Sequence, residues 1–289
     1  MFIKFEVKTQ GISHIEKGTP CQDAVNAKLR LDNTIGIACV ADGHGGSKYF
    51  RSDTGSRIAV QVAENALLDF FGAIASGKTP FYNNEANEGS GKSINVQERL
   101  KDLEGNIIYS WRNAVTHHMK ENPFTETENE HCEKNKIVLN DDPKKLMFIY
   151  GSTLLASLVT DNFWVAIQIG DGLCVVLENE EKIIIPIEED KRLAFGMTTS
   201  LCDSNARDNF REAYGFAKIE GLTVATDGMT DSFVPEKYLQ FNKGLYEKFT
   251  NSSSTVEKEE KKLNNFLPEI SERGSRDDIA IAGIFRVKE

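Results

Sequence analysis

Short polar links between apolar runs are the feature that most restricts the fold of this chain. Residues 153–159, 163–169 and 173–177 are three such runs, rich in β-branched and aromatic residues and separated by TDN and GDG. Links this short join antiparallel neighbours, because a crossover between parallel strands needs about a dozen residues or more. The sequence therefore predicts antiparallel β-sheet in the middle of the chain.

Further strands and long helices complete the predicted pattern. The remaining strand candidates are residues 2–7, 35–41, 183–187, 222–226 and 279–287. Hydrophobic residues recur at helical spacing in residues 58–70 and 100–119, and helical patterns also start near Ser232 and cover 255–273. Because helices come in pairs between groups of strands, this order predicts an α+β fold in which helices cover antiparallel sheets.

We expect a single domain, residues 1–289. Two segments, 72–96 and 120–145, are polar and lack periodicity, which is typical of long surface loops. Strand patterns resume on both sides of each segment, so neither one separates two independent cores.

Charge and cysteine content restrict the kinds of binding partner and the cellular compartment that we expect. The chain has 34 Lys+Arg against 44 Asp+Glu, a net charge of −10, which argues against a nucleic acid as partner. The cysteines are odd in number and form no CxxC pair, as expected of reduced thiols. Neither a secretion signal nor a run of about 18 apolar residues is found, so we expect a cytoplasmic protein without membrane attachment.

Four aspartates occupy the same kind of position, at the end of an apolar strand. They are Asp42, Asp171, Asp227 and Asp277, and the first three each precede a glycine. One Asp-Gly pair usually forms only a turn. Four converging carboxylates, however, repel one another unless a cation or protons neutralise them. Since the donors are oxygens and imidazoles are few, the expected ion is Mg²⁺ or Mn²⁺.

A two-metal centre would give these carboxylates a chemical function. Two metals that share one carboxylate hold a hydroxide at neutral pH, which is a nucleophile for attack on phosphorus. The leaving alkoxide then needs a proton, and the candidate general acid is His44, which follows Asp42 closely in the chain. These residues predict metal-dependent hydrolysis of a phosphate ester.

Six motifs together resemble the type 2C family of metal-dependent serine/threonine protein phosphatases. In the family's order they are PCQDA (20–24), VADGHGG (40–46), GSTLL (151–155), IGDGLC (169–174), ATDGMTD (225–231) and GSRDDIA (274–280). The resemblance implies a four-layer αββα sandwich, with two packed antiparallel sheets flanked by helix pairs. It also implies hydrolysis of phosphoserine and phosphothreonine in proteins by a metal-bound hydroxide.

The resemblance also implies the ligands of two Mg²⁺ or Mn²⁺ ions. Asp42 would bridge the two ions and the Gly43 carbonyl would bind one of them. Asp227 and Asp277 would complete the other, and His44 would be the acid.

Other positions match supporting roles in the family. Asp23 would contact metal-bound water, while Asp171 and Asp231 match positions that hold a third metal ion in some members. Residues 186–214 would form the variable flap beside the active site.

Three departures from the family pattern indicate a divergent, bacterial-type member. Gln22 stands where many members have Glu; its amide removes one charge but would still coordinate a metal ion or bond to metal-bound water. Asp278 stands where Asn often follows the last metal aspartate. The arginine that grips the substrate phosphate is missing from the segment before PCQDA. Lys17 or His14 are the candidates to replace it, although a lysine cannot form a bidentate guanidinium clamp.

Two other functions stay open. The missing arginine motivates a non-catalytic phosphoprotein-binding or scaffolding module on the same fold. A metal-dependent phosphoesterase for a small molecule or nucleotide would use the same hydroxide chemistry, so the metal site does not discriminate it from a protein phosphatase. We expect a phosphorylated protein as the substrate and a monomer as the active form.

Overall fold

Two five-stranded antiparallel sheets pack face to face in the computed structural model, which describes residues 1–78, 81, 96–140, 142–190 and 198–288. The first sheet, in spatial order, contains β1 (Phe2–Thr9), β10 (Ile279–Arg286), β9 (Gly221–Ala225), β6 (Leu173–Leu177) and β7 (Ile183–Ile184). The second contains β2 (Ala24–Arg30), β3 (Ile35–Ala41), β4 (Leu154–Val159), β5 (Trp164–Ile169) and β8 (Arg211–Gly215).

Helices cover both outer faces of this pair of sheets. The described helices are α1 (Ile12–Lys17), α2 (Ser52–Ala75), α3 (Val96–Glu121), α4 (Glu126–Lys134), α5 (Ala206–Asn209), α6 (Asp227–Thr230), α7 (Pro235–Phe249) and α8 (Val256–Arg273), with a 3-10 helix at Pro143–Tyr150. Helices α2 and α3 pack on the second sheet, and α7 and α8 on the first. The predicted α+β fold, a four-layer αββα sandwich, is confirmed.

Alternation along the strands divides the core into three layers. In β3, Ile37 faces the layer under α2 and α3, while Val40 faces the space between the sheets. In β10, Ile284 lies between the sheets and Ile281 faces α7 and α8. Successive side chains of a strand point to opposite faces, so a strand buried on both sides has to be apolar throughout.

Helix α2 is the one described helix that is long and apolar enough to cross a membrane, with a mean hydropathy of 1.4. In the fold, Ala59, Ala63 and Leu67 of this helix are buried in the core above the second sheet. The core of the domain accounts for its apolar face.

Neither edge strand of the second sheet, β2 or β8, was predicted from the sequence. Strand β2 was not expected because polar residues alternate through AVNAKLR, and an edge strand accommodates them. Strand β8 lies inside the predicted flap, so residues 211–214 belong to the sheet. Residues 191–197 of that flap lie outside the described residues.

Helix α4 lies within residues 120–145, where we expected a loop. Its start is marked by a capping box, in which the Thr125 hydroxyl accepts from the Glu128 N–H and the Glu128 carboxylate accepts from the Thr125 N–H. This signal is readable in the sequence TETE. In the other expected loop, 72–96, residues 72–75 instead belong to the last turn of α2 and residue 96 begins α3, while most of the remainder lies outside the described residues.

Candidate active site

Strand register brings the two early motifs to the same end of the second sheet. Ala24 pairs with Ala41 in the antiparallel β2–β3 ladder. Asp23 therefore precedes β2 at the point where Asp42 follows β3. Main-chain pairing alone sets these two carboxylates side by side.

The first sheet brings its own aspartates to that end. Ala225 of β9 pairs with Leu173 of β6 on one side and with Ile281 of β10 on the other. Asp171, just before β6, and Asp227, just after β9, are thus neighbours in space. The GSRDDIA motif reaches the same end because it immediately precedes β10.

Three carboxylates form a tight group at this point. Oxygens of Asp42, Asp171 and Asp227 all lie within 4.8 Å of one another. Burial, followed by repulsion from the neighbouring carboxylates, raises the pKa of Asp42 well above its usual range and that of Asp227 to about 7. Two oxygens on one Mg²⁺ at about 2.1 Å are at most about 4.2 Å apart, so the group fits a hard divalent cation after a small adjustment.

Asp23 is held by a residue from the other sheet. Its side chain is buried, and its Oδ2 accepts a 2.7 Å hydrogen bond from the Thr226 hydroxyl. The same hydroxyl oxygen accepts from the Ala280 N–H at 2.9 Å. Burial raises the pKa of the Asp23 carboxyl strongly, and the Thr226 bond offsets part of this effect. Thr226 thus fixes Asp23 beside Asp227.

The two aspartates of the GSRDDIA motif have different surroundings. Asp277 has a half-exposed side chain and lies close enough to raise the pKa of Asp227. Asp278 is buried, and it accepts hydrogen bonds from the Gly11 N–H at 2.7 Å and the Gln22 N–H at 2.6 Å. Asp278 therefore ties the loop around α1 and the PCQDA motif to the start of β10.

The His14 side chain also contacts Asp278. Its Nδ1 lies 2.8 Å from Oδ2 of Asp278. The Asp278 hydrogen bond raises the pKa of His14. Burial alone would raise the pKa of Asp278, but the bonds from His14, Gly11 and Gln22 outweigh it and lower that pKa. This contact argues against His14 as the phosphate ligand. Lys17, the other candidate, is exposed at the end of α1.

Gln22 fastens the glycine-rich loop. Its side-chain amide donates to the His44 carbonyl at 3.1 Å and to the Ser52 hydroxyl at 2.5 Å, and its own carbonyl accepts from the Gly43 N–H at 3.1 Å. A Cβ on Gly43 would lie 2.6 Å from the Ser52 carbonyl oxygen, so only glycine fits there. The amide of Gln22 acts in positioning the loop.

His44, two residues after Asp42, is held against Gly151 and Tyr49. Its N–H donates to the Gly151 carbonyl at 3.0 Å, and its ring meets the Tyr49 ring edge-on with centroids 5.1 Å apart. A Cβ on Gly151 would come within 2.6 Å of Cδ2 of His44. Burial lowers the pKa of His44 to about 4. The GSTLL motif therefore begins with glycine because the imidazole packs on it.

Two further residues of the site were not predicted as functional, although both lie in the quoted motifs. Thr153 accepts the Asp42 N–H at 2.9 Å through its hydroxyl and donates its own N–H to the Asp42 carbonyl at 2.8 Å. Thr226 holds Asp23 as described above. Asp231 lies at the rim, where burial and then repulsion from Asp171 raise its pKa.

The comparisons with known proteins agree with this geometry. The family model described as protein phosphatase 2C matches residues 10–268. No curated protein sequence matches the chain. Among solved structures, the catalytic domain of the serine/threonine phosphatase PstP in complex with two manganese ions is 15% identical, with a TM-score of 0.55 and 99% of each chain covered.

Two other solved structures have the same fold. The Mycobacterium tuberculosis serine/threonine phosphatase PstP/Ppp is 12% identical, with a TM-score of 0.56 and 99% of each chain covered. The serine/threonine phosphatase Stp1 from Staphylococcus aureus is 16% identical, with a TM-score of 0.55 over 100% of this chain and 96% of that chain. With the family model matching from the start of α1 into α8, this chain belongs to the protein phosphatase 2C family and is a metal-dependent serine/threonine protein phosphatase.

Proposed function

We propose that this phosphatase binds two Mg²⁺ or Mn²⁺ ions at the carboxylate group, with Asp42 as the shared ligand. Asp42 is suited to this role because its backbone is held by Thr153, which accepts from the Asp42 N–H and donates to the Asp42 carbonyl. The Gly43 carbonyl would contribute to one ion, and Asp227 and Asp277 to the other. The observation that carries the proposal is the convergence of Asp42 with two other carboxylates within 4.8 Å.

A third ion would share ligands with these two. Asp171 belongs to the same tight group as Asp42 and Asp227, and Asp231 lies at its edge. Once bound, the ions would supply an activated water as the nucleophile and neutralise charge on the phosphate. Asp23, held by the Thr226 hydroxyl, would accept a hydrogen bond from that water.

The remaining residues would handle the proton and the phosphate. His44, fixed by Tyr49 and Gly151, would donate a proton to the serine or threonine oxygen as it leaves; the negative charge of the bound phosphate would first raise its pKa from the value of about 4 that burial sets. Lys17 is our candidate to attract the phosphate, since its ammonium is exposed and close enough to His14 to lower the pKa of that imidazole.

We further propose that residues 1–289 act as one monomeric domain in the cytoplasm. Strand β1 pairs along its full length with β10, so both ends of the chain belong to one sheet. The net charge of −10 argues against nucleic acid as a partner, and the apolar face of α2 is used in the core. A phosphorylated protein is the substrate.

The test is hydrolysis of p-nitrophenyl phosphate and of a phosphothreonine peptide with Mn²⁺, Mg²⁺ or EDTA. We expect turnover that needs added metal and is lost in Asp42→Asn and Asp227→Asn, whereas Asp69→Asn on the exposed side of α2 retains it. Because the substitution relieves carboxylate repulsion, Asp42→Asn should unfold at higher urea concentration than the metal-free wild type. Metal-dependent turnover that survives in Asp42→Asn would refute the assignment.

A further inference from the structure

A groove opens beside Tyr49, whose ring contacts His44, and two lysines line it. It has a volume of about 560 Å³ and lies between residues 46–49, which begin at the last glycine of the VADGHGG motif, and residues 135–138, after helix α4. Phe148 forms its apolar floor. We call this feature the lysine groove, after Lys48 and Lys136.

One aromatic ring separates the lysine groove from the reaction site. Tyr49 lines the groove, and its ring also contacts the His44 ring. Both rings approach the same point above Gly151, where a Cβ would lie 2.6 Å from His44 and 3.2 Å from Tyr49. An extended peptide advances about 3.3 Å per residue, so residues two to four positions from a phosphoresidue at His44 reach the groove.

The charge of the groove is opposite to that of the protein. The chain carries a net charge of −10, yet among the described residues the groove is lined by two lysines and no carboxylate. Both lysines are exposed, and neither makes an ion pair with any residue in the described part of the chain. The Nζ of Lys48 lies 5.3 Å from the Tyr49 ring centroid, along the wall nearest His44. Their natural partner is an acidic side chain of the substrate.

An apolar surface lies beside the lysines. Val138 is 82% exposed, and Ile137 and Phe148 continue this surface into the groove. A concave cavity with a partly apolar lining and a few polar groups is the usual form of a binding cleft. The combination fits a peptide that presents an acidic residue with an apolar neighbour.

The wall formed by residues 135–138 is held in place by helix α4. Arg51 donates to both carboxylate oxygens of Glu128 at 2.6 and 2.7 Å, anchoring α4 to the start of α2. Nε2 of His131 lies 2.5 Å from the Ser47 carbonyl oxygen, and the His131 ring packs against Phe50. A binding wall that is already ordered loses little entropy when a ligand arrives.

A turn at Lys136 sets the path of the chain in this wall of the groove. Its backbone is left-handed, with a φ of 55°, and the following Ile137 N–H donates to the Cys132 carbonyl at 2.8 Å. This turn ends α4 and places residues 136–138 across from residues 46–49. This wall of the groove is therefore built by the segment between α3 and the 3-10 helix, outside the six motifs.

We propose that the lysine groove binds the substrate segment next to the phosphoresidue and selects proteins with acidic residues two to four positions away. This inference rests on the proposed phosphatase function and specifies its substrate class. The contribution is one of substrate binding, so it appears in KM and in kcat/KM for peptides.

The test compares two phosphothreonine peptides that differ only in flanking Glu or flanking Gln, with p-nitrophenyl phosphate as the substrate that has no flanking residues. Each peptide kcat/KM is divided by the value that the same variant gives for p-nitrophenyl phosphate. We expect the wild type to prefer the Glu peptide, mainly through KM. The double variant Lys48→Glu/Lys136→Glu should lower this preference about tenfold, and Lys48→Gln/Lys136→Gln should have an intermediate effect.

Lys261→Glu, on the exposed side of α8, is the matched control and should keep the wild-type preference. Equal use of both peptides by the wild type, or an unchanged preference in the double charge-reversal variant, would overturn the groove proposal alone. Absence of metal-dependent hydrolysis of p-nitrophenyl phosphate by the wild type would instead overturn the proposed function, and the groove proposal with it.

Discussion

The hydroxyl of Thr226 donates a 2.7 Å hydrogen bond to the carboxylate of Asp23, and this bond joins the two sheets at the active end of the sandwich. Asp23 precedes the first strand of one sheet, and Thr226 follows a central strand of the other. Since Asp227 comes next in the chain, the same contact sets the distance between carboxylates of different sheets.

Replacing Thr226 by valine should separate these two functions of the threonine. The variant keeps the shape of the side chain but leaves a buried carboxylate without its donor, which we expect to lower the free energy of unfolding by about 1–3 kcal/mol. Urea denaturation without metal measures this loss, and calorimetric titration with Mn²⁺ should show a weaker Kd. Thr116→Val is the control, because the Thr116 hydroxyl bonds only within its own helix. Unchanged stability and Mn²⁺ affinity would show that the bond has no structural role.

Gly151→Ala should impair His44 without removing a metal ligand. The added methyl group would lie 2.6 Å from Cδ2 of His44, so the imidazole has to move. A misplaced general acid lowers kcat, and we expect a decrease of about tenfold or more with little change in Mn²⁺ affinity. Gly45→Ala adds the same methyl group where the nearest side chain is 4.0 Å away, and it should stay close to wild type. Equal kcat values in both variants would contradict this account.

Asp278→Asn should restore the residue common in the family yet destabilise this protein. The buried carboxylate accepts from the N–H groups of Gly11 and Gln22 and faces Nδ1 of His14, whereas an amide has only one acceptor oxygen. We expect a loss of about 2 kcal/mol in the free energy of unfolding, measured with urea at pH 7. Asp208→Asn, at an exposed aspartate, provides the comparison. A variant as stable as the wild type would show that this chain does not depend on the charge.

The Arg51–Glu128 pair predicts a defined pH dependence for helix α4. The hydrogen bond from Arg51 lowers the pKa of the Glu128 carboxyl. A carboxyl with a lowered folded pKa stabilises the fold above its unfolded pKa of about 4.3, and this contribution is lost as the pH falls through the folded value. Glu128→Gln should therefore lower the Tm clearly at pH 7 and by much less near pH 3.

Thermal unfolding followed by circular dichroism at both pH values tests this difference. Glu130→Gln, at an exposed position of the same helix, should give nearly equal and small changes at both. An equal Tm loss in Glu128→Gln at pH 3 and pH 7 would contradict this account, because it would show that the ionised Arg51–Glu128 pair does not hold α4 to the start of α2.

Residues whose role depends on local sequence were predictable, whereas roles that depend on distant partners were not. Asp42, Asp171 and Asp227 were found because each follows an apolar run and precedes glycine, a pattern visible within a few residues. The role of Asp278 was missed, since its partners His14 and Gln22 are more than 250 residues away in the chain. The sequence shows Asp278 only as a departure from the family pattern.

The same distinction applies to the fold. The central strands are apolar on both faces and were predicted nearly to the residue, as in residues 35–41 and 173–177. Strands β2 and β8 have polar residues because they lie at sheet edges, and their assignment requires knowledge of their neighbours. Helix α4 is polar throughout most of its length, so its capping box was the only local signal.

The position of β10 between β1 and β9 has a consequence for how the enzyme is made. A nascent chain that ends before Ile279 lacks a central strand of the first sheet, and the partners of Gly11 and Gln22 have not yet been synthesised. The carboxylate group therefore assembles only after β10 has left the ribosome. Phosphatase activity should appear in a single step once β10 has emerged, and a product terminated before Ile279 would carry none.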